Sequence, residues 1–261
     1  MTDLYAVVGD PVEHSLSPVI QQAAFDSLAI DATYSAIRVE SSGMESVIED
    51  LRVGRLSGVN VTMPHKHLAF ELVDRVEGDA RLAESVNTLV RSDDEVIGYS
   101  TDISAIRAEW RRKELPVGSV LVLGAGGAAA AAVVALRGME IYASARRSTR
   151  LEELIARLEL DATIVPWANA VPGAVVVNAT PLGMRNERLP TGLLAQSEGL
   201  FDMAYGALPT PAVIAAKTLG QPVVDGLEML VAQAAGSFEA WTGRPAARSV
   251  MLEAAQIAQG W

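Results

Sequence analysis

The sequence predicts an α/β fold, and three observations carry that prediction. Short apolar runs of strand character alternate with helical patterns along the whole chain. Residues 119–123 form a tight apolar run followed directly by GAGGAAAAAVVALRG and then MEIYAS, in the order strand, glycine turn, alanine-rich helix, strand. Residues 58–66, GVNVTMPHK, open as a buried strand, and Pro64 stands where a first helical turn would begin. Strand-to-helix junctions of open α/β sheets face the ligand crevice. Asn60, Thr62 and Lys66 gather at this one, a single cation among neutral hydrogen-bonding groups, which suits holding and deprotonating a polyhydroxy compound. A strand, a proline-started helix and a surface lysine would produce the same letters.

Composition narrows the class. With 261 residues, half of them apolar, the chain can bury a sizeable core as one large domain or two modest ones. No window is apolar for long enough to span a membrane. The start, MTDLYAVVGD, has no basic n-region or cleavage pattern, so a cytoplasmic protein is expected. The absence of cysteine excludes disulfides, thiolate metal sites and a cysteine nucleophile, and no metal is expected. A net charge of −11 argues against a non-specific nucleic-acid binder, which needs a basic footprint.

Taken in order, residues 4–9 read as a strand ending in the turn Gly9-Asp10-Pro11. In EHSLSPVI, Ser17 before Pro18 fits a helix N-cap. Two hydroxyls beside exposed helix N–H groups also fit a carboxylate site, and capping explains one serine but not two. Helical periodicity covers 19–28, a strand 33–39, and a helix 43–52 with Met44, Val47, Ile48 and Leu51 on one face. A helix is expected over 65–76, then a hairpin of SVNTLVR and EVIGYS around Ser92-Asp93-Asp94. Asn87 and Asp102 end strand-like runs, and Asp102, ahead of a helical pattern over 103–112, also reads as an N-cap. After the 119–143 unit come a helix over 150–160, strands over 162–165 and 174–178, LFDMAYG as strand and turn, a helix over 211–219, the strand PVVDG, and helices through LEMLVAQAAGSFEAWTG and 247–259. Met229, Leu230 and Phe238 stand at core spacing.

The glycine turn carries the second candidate site. Gly124, Gly126 and Ala129 fit the dinucleotide fingerprint: a tight turn, a close approach for pyrophosphate, and close helix–strand packing. An acid about 20 residues after the first glycine would select NAD. Here the strand ends in Ser144-Ala145-Arg146-Arg147, with Arg150 beyond, and guanidinium groups suit a 2′-phosphate. NADP is the expected cofactor; solvated arginines at a strand end are the alternative.

These residues bring a family into view. GDPVEHSLSP, GVNVTMPHK, ESVNT, IGYSTD, GAGGAA, NATPLGM, DMAY and DGLEMLVAQAAGSFEAWTG occur in that order, and the chain so resembles the shikimate dehydrogenases over nearly its whole length. The resemblance implies two α/β domains: a discontinuous substrate domain, 1–104 plus 233–261, and a Rossmann-type NADP domain, 105–232. It implies a catalytic pair, Lys66 and Asp102. It implies that Ser15, Ser17 and Tyr205 hold a substrate carboxylate, that Thr62, Asn87 and Gln233 hold ring hydroxyls, and that Asn60 orients the lysine loop. Cofactor contacts are implied for Gly124, Ala125, Gly126, Gly127, Ala128, Arg146, Arg147, Arg150, Thr180 and Gly226. The implied reaction is reversible, NADP(H)-dependent reduction of 3-dehydroshikimate in chorismate and aromatic amino-acid biosynthesis, by a monomer or homodimer. A quinate/shikimate or aminoshikimate-type paralogue, and a catalytically inactive ligand sensor, are the rival readings.

The chain departs from the family pattern at four places. Gln21-Gln22 stands for the usual His-Asn, Ser100 for the Asn before Thr-Asp, Ala145-Arg146-Arg147 for Asn-Arg-Thr, and Tyr205-Gly206-Ala207 for Tyr-x-Pro.

Overall fold

A computed structural model describes residues 2–206 and 209–259; Ala207 lies outside the described residues. The chain divides into two compact units, Met1–Asp102 with Val231–Trp261, and Ile103–Leu230. Both boundaries fall inside helices, after residues 102 and 230 rather than after 104 and 232 as expected.

The first unit is built on a mixed sheet. Its strands are β1 (Asp3–Gly9), β2 (Ala32–Arg38), β3 (Gly58–Val61), β4 (Arg75–Val76), β5 (Thr88–Ser92) and β6 (Glu95–Tyr99), in the spatial order β2-β1-β3-β5-β6-β4. β1 pairs parallel with β2 and β3, while β3–β5 and β5–β6 are antiparallel. The helices before residue 102 are α1 (Ser17–Ser27), α2 (Met44–Arg52), α3 (Lys66–Leu72) and α4 (Ala80–Ala83). In α2 the buried residues are Met44, Val47, Ile48 and Leu51, the face that helical spacing dictates, and they close on Val8, Val59, Val61 and Leu89. Each such side chain contributes about 1.5–3 kcal/mol on burial.

The second unit contains β7 (Ser119–Leu123), α6 (Gly127–Ala135), β8 (Glu140–Ser144), α7 (Ser148–Arg157), β9 (Thr163–Ile164), β10 (Val175–Asn178), β11 (Gly199–Asp202), α8 (Pro211–Thr218) and β12 (Val223–Val224). All its strand pairs are parallel, in the order β12-β11-β10-β7-β8-β9. Counted within the unit this is 3-2-1-4-5-6, the doubly wound dinucleotide-binding order, whose switch point lies between β7 and β10. The helices α5 (Thr101–Arg112), α9 (Gly226–Thr242) and α10 (Arg248–Gln259) complete the chain.

Four local expectations need correction. The residue capping α1 is Leu16, not Ser17; Ser17 is the first helical residue, and its N–H donates to Ser15 Oγ at 3.2 Å. Pro64 does not start α3. It follows a cis peptide in a turn closed by His65 N donating to Thr62 O at 3.0 Å, and the helix starts at Lys66. That helix stops at Leu72, because Val73 is extended and residues 75–76 join the sheet beside β6. Asp102 is no N-cap: it lies inside the first turn of α5, and its carboxylate meets a lysine.

Candidate active site

Lys66 is the first residue of α3 and Asp102 the second of α5. Lys66 Nζ donates to Asp102 Oδ2 at 2.5 Å, with the Asp102 side chain 6% exposed and that of Lys66 18%. The carboxylate is thus enclosed while the ammonium keeps a face toward solvent. Three hydrogen bonds hold the pair from behind. Val86 N donates to Lys66 O at 3.0 Å, Asn87 N to Tyr99 O at 3.0 Å, and Thr101 N to Asn87 Oδ1 at 2.8 Å. The last fixes the start of α5, one residue before Asp102. The loop ahead of α3 is pinned by the buried His65, whose Nε2 lies 2.6 Å from Val39 O; a carbonyl only accepts, so Nε2 carries the proton.

Asn87 and Gln233 are brought together, with Asn87 Nδ2 donating to Gln233 Oε1 at 3.3 Å and to Thr101 Oγ1 at 3.0 Å. Around them Tyr34, Asn60, Thr88, Thr101 and Ser237, all buried, form a continuous hydrogen-bonded network. Sequence reading singled out Asn60 and missed the other four. For Ser237 the available signal was its spacing, one helical turn after Gln233.

The candidate substrate hydroxyls are preset in different ways. Ser15 Oγ already accepts the Ser17 N–H, which leaves its own proton for an incoming acceptor. Ser17 is buried and Thr62 half-buried, and neither hydroxyl has a hydrogen-bond partner among the described residues. Thr62 also packs on Gly9, where a Cβ would overlap its methyl group. Tyr205 lies in the second unit, half-buried on the segment after β11. Of the departures, Gln21 is fully buried and its Nε2 donates to Ala234 O at 2.9 Å, while Ser100 Oγ is buried without a partner among the described residues.

The second unit meets the demands of a dinucleotide. Gly124 follows β7 with φ +126°, and a Cβ there would fall 2.8 Å from Ala179 O on the segment after β10. Gly126 is the opposite case: a Cβ would meet nothing within 4 Å, so open space lies above the start of α6. Ala125 lies in this turn, Gly127 and Ala128 open α6, and Ala129 is buried. Free backbone N–H groups at such a helix start suit a pyrophosphate. Arg146, Arg147 and Arg150 are exposed past the end of β8, and none has an ion pair among the described residues. Thr180 is held by Asn178, its Oγ1 donating to Asn178 Oδ1 at 2.6 Å. At Gly226 a Cβ would overlap the Ala204 carbonyl, so close approach of two backbones already demands glycine there. The buried Asp202 accepts from Thr210 Oγ1 at 2.5 Å, Ala204 N at 3.0 Å and Asn178 Nδ2 at 2.8 Å. Burial nevertheless pushes its carboxyl up to about 6, against the pull of those three donors, with Asp225 adding to the rise.

A doubly wound sheet with a glycine turn at its switch point, joined in one chain to a mixed sheet bearing a Lys–Asp pair, defines a two-domain α/β protein of the dinucleotide-binding class. Comparison with known proteins gives the family. The model of the shikimate dehydrogenase substrate binding domain matches residues 7–89, and that of the shikimate 5′-dehydrogenase C-terminal domain residues 226–256. The chain is 38% identical to shikimate dehydrogenase (NADP(+)) of Anaeromyxobacter sp. strain Fw109-5, covering 97% of this chain and 95% of the relative. It is 34% identical to the enzyme of the same description from Desulforamulus reducens, over 99% and 97%. The fold superimposes on a crystal structure of shikimate 5-dehydrogenase from Thermus thermophilus in complex with NADP(H) and shikimate, with a TM-score of 0.89, 33% identity, and coverage of 98% and 100%. The chain belongs to the shikimate dehydrogenase family.

Proposed function

We propose that this protein catalyses the reversible, NADP-dependent reduction of 3-dehydroshikimate to shikimate, with Lys66 and Asp102 as the catalytic pair. The observation that carries the reading is the 2.5 Å contact between Lys66 Nζ and Asp102 Oδ2, beside the paired amides of Asn87 and Gln233. Relatives described as NADP(+) shikimate dehydrogenases at 34% and 38% identity support it.

When bound, the dinucleotide supplies or takes up the hydride. The chain's own task is the proton. In the reducing direction the carbonyl oxygen gains a proton as the ring carbon gains hydride; in the oxidising direction the hydroxyl loses it. An ammonium has three donors, and one is spent on Asp102, which leaves Lys66 able to point another at the reacting oxygen. Asp102 aims the lysine by a charge-assisted hydrogen bond and accepts from the same hydroxyl. The Asn87 and Gln233 amides, each a donor and an acceptor, suit ring hydroxyls, as does Thr62. Ser15 and Ser17 suit the carboxylate. Gly124, Ala125, Gly126, Gly127 and Ala128 would cradle the pyrophosphate, and Arg146, with Arg147 and Arg150 beside it, would select the 2′-phosphate. Thr180 and Gly226 line the same end of the second unit's fold as further cofactor contacts.

The test is a steady-state assay of the purified protein with shikimate or quinate, each with NADP or NAD. The reading predicts the highest kcat/KM for shikimate with NADP. A higher value for quinate, or tight shikimate binding without any change in nicotinamide absorbance, would overturn it.

A further inference from the structure

We infer that Ser237 and Tyr34 are positioning residues which, through Asn60, hold the Asn87 and Gln233 amides in register. The inference rests on the proposal that those amides bind the substrate's hydroxyls.

The Asn60 amide is fully committed. Tyr34 O–H donates to its Oδ1 at 2.8 Å, while its Nδ2 lies 3.0 Å from Asn87 O, 2.8 Å from Ser237 Oγ and 3.1 Å from Thr88 Oγ1. The Asn87 carbonyl only accepts, so the amide cannot be turned the other way. Ser237 is the matching hub on α9. It is fully buried, its O–H donates to Gln233 O at 3.1 Å, and its Oγ lies 2.8 Å from Thr88 Oγ1 and 3.3 Å from Thr101 Oγ1.

Helical spacing explains why this serine matters. Gln233, Ser237 and Trp241 recur at intervals of four and share one face of α9. Trp241 anchors the far end: its Nε1 donates to Leu89 O at 2.9 Å, and its indole fills the space over Gly58, where a Cβ would fall 2.5–2.7 Å from the ring. Gln233 meets Asn87 at the near end. Ser237 stands between, and its hydroxyl ties the middle of this face to Asn60 of β3 and Thr88 of β5. A fully satisfied buried network specifies one geometry where an apolar contact would tolerate several. Here the geometry so specified is the relative placement of two amides and, through Thr101, the start of the helix that carries Asp102.

The test is steady-state kinetics on Ser237→Ala, Tyr34→Phe, and the double variant, with Asn87→Ala and Gln233→Ala as controls. Each single variant is expected to raise the shikimate KM about tenfold, the effect of one lost buried hydrogen bond, with a smaller change in kcat and none in the KM for NADP. Because both bond the Asn60 amide, their effects are coupled, and the double variant should fall short of the product of the two single effects. Loss of folded protein alone would lower kcat and leave both KM values in place; that result would overturn the inference. So would multiplied effects in the double variant, or unchanged shikimate KM in Tyr34→Phe, which deletes one oxygen from a well-packed ring. If Asn87→Ala and Gln233→Ala leave the shikimate KM untouched, the fault lies in the reading of the site, and the inference falls with it.

Discussion

At the scale of single residues, the two candidate sites differ in how tightly they are held. Lys66 and Asn87 are held by backbone hydrogen bonds with Val86 and Tyr99, and the Asn87 side chain holds Thr101 just before Asp102, whereas Arg146, Arg147 and Arg150 stand exposed at a strand end. An exposed guanidinium acts chiefly by charge and bidentate geometry, so Arg146→Ala should weaken NADP by about tenfold and NAD much less, with the difference shrinking in high salt. Titrating both dinucleotides into wild type and variant checks this; equal weakening of the two would contradict the 2′-phosphate role. The same contrast explains what could be read in advance. Lys66 and Asp102 were singled out through the strings GVNVTMPHK and IGYSTD that carry the family resemblance, since each residue alone also fits a bland role, and the structure brings the two side chains together. Tyr34, Thr88 and Ser237 were not, because a tyrosine in a strand or a serine in a helix announces no partner; their roles arise from contacts across 26 to 177 residues of chain. Ser17 illustrates a nearer miss: Ser-Pro at a helix start is the same whether the serine caps or opens the first turn, and here Ser15 Oγ receives the N–H.

At the scale of elements, periodicity was most reliable where one face is buried, as in α2, whose four buried residues are those the spacing names. It failed at 65–76, where the apolar rhythm continues past Leu72 although the chain turns extended at Val73 and joins the sheet. Long-range pairing with β6 decided that boundary, and pairing leaves little trace in the local sequence. Asp202 shows an element-scale device of another kind. Its carboxylate gathers donors from β10, from its own following turn and from the residue that caps α8, tying three element ends together. With the folded-state value raised to about 6, the folded protein keeps between pH 4 and 6 a proton that the unfolded chain has released. Its contribution is therefore greatest below the ordinary carboxylate range and is lost as pH rises through about 6, by about 3 kcal/mol in all. Denaturant unfolding followed from pH 4 to 7 should show this decline in wild type and lose it in Asp202→Asn. The same slope in both proteins would show that Asp202 is not its source.

At the scale of the whole molecule, the α/β class followed from the alternation, the glycine turn and the 58–66 junction together, and the 3-2-1-4-5-6 order in the second unit agrees with the Rossmann-type domain that the family resemblance implies. The mixed order of the first sheet, β2-β1-β3-β5-β6-β4, was not foreseen, since the hairpin was legible but not its insertion beside β3. The proposed activity requires that the Lys66–Asp102 pair handle the proton. The most direct test is the turnover of Lys66→Ala with shikimate and NADP, alongside its thermal unfolding, with Lys66→Met as the variant that keeps the packed stem. That role predicts a fall in kcat of about 10²–10⁴-fold in a folded protein that still binds shikimate. Near-normal turnover in either variant would contradict it.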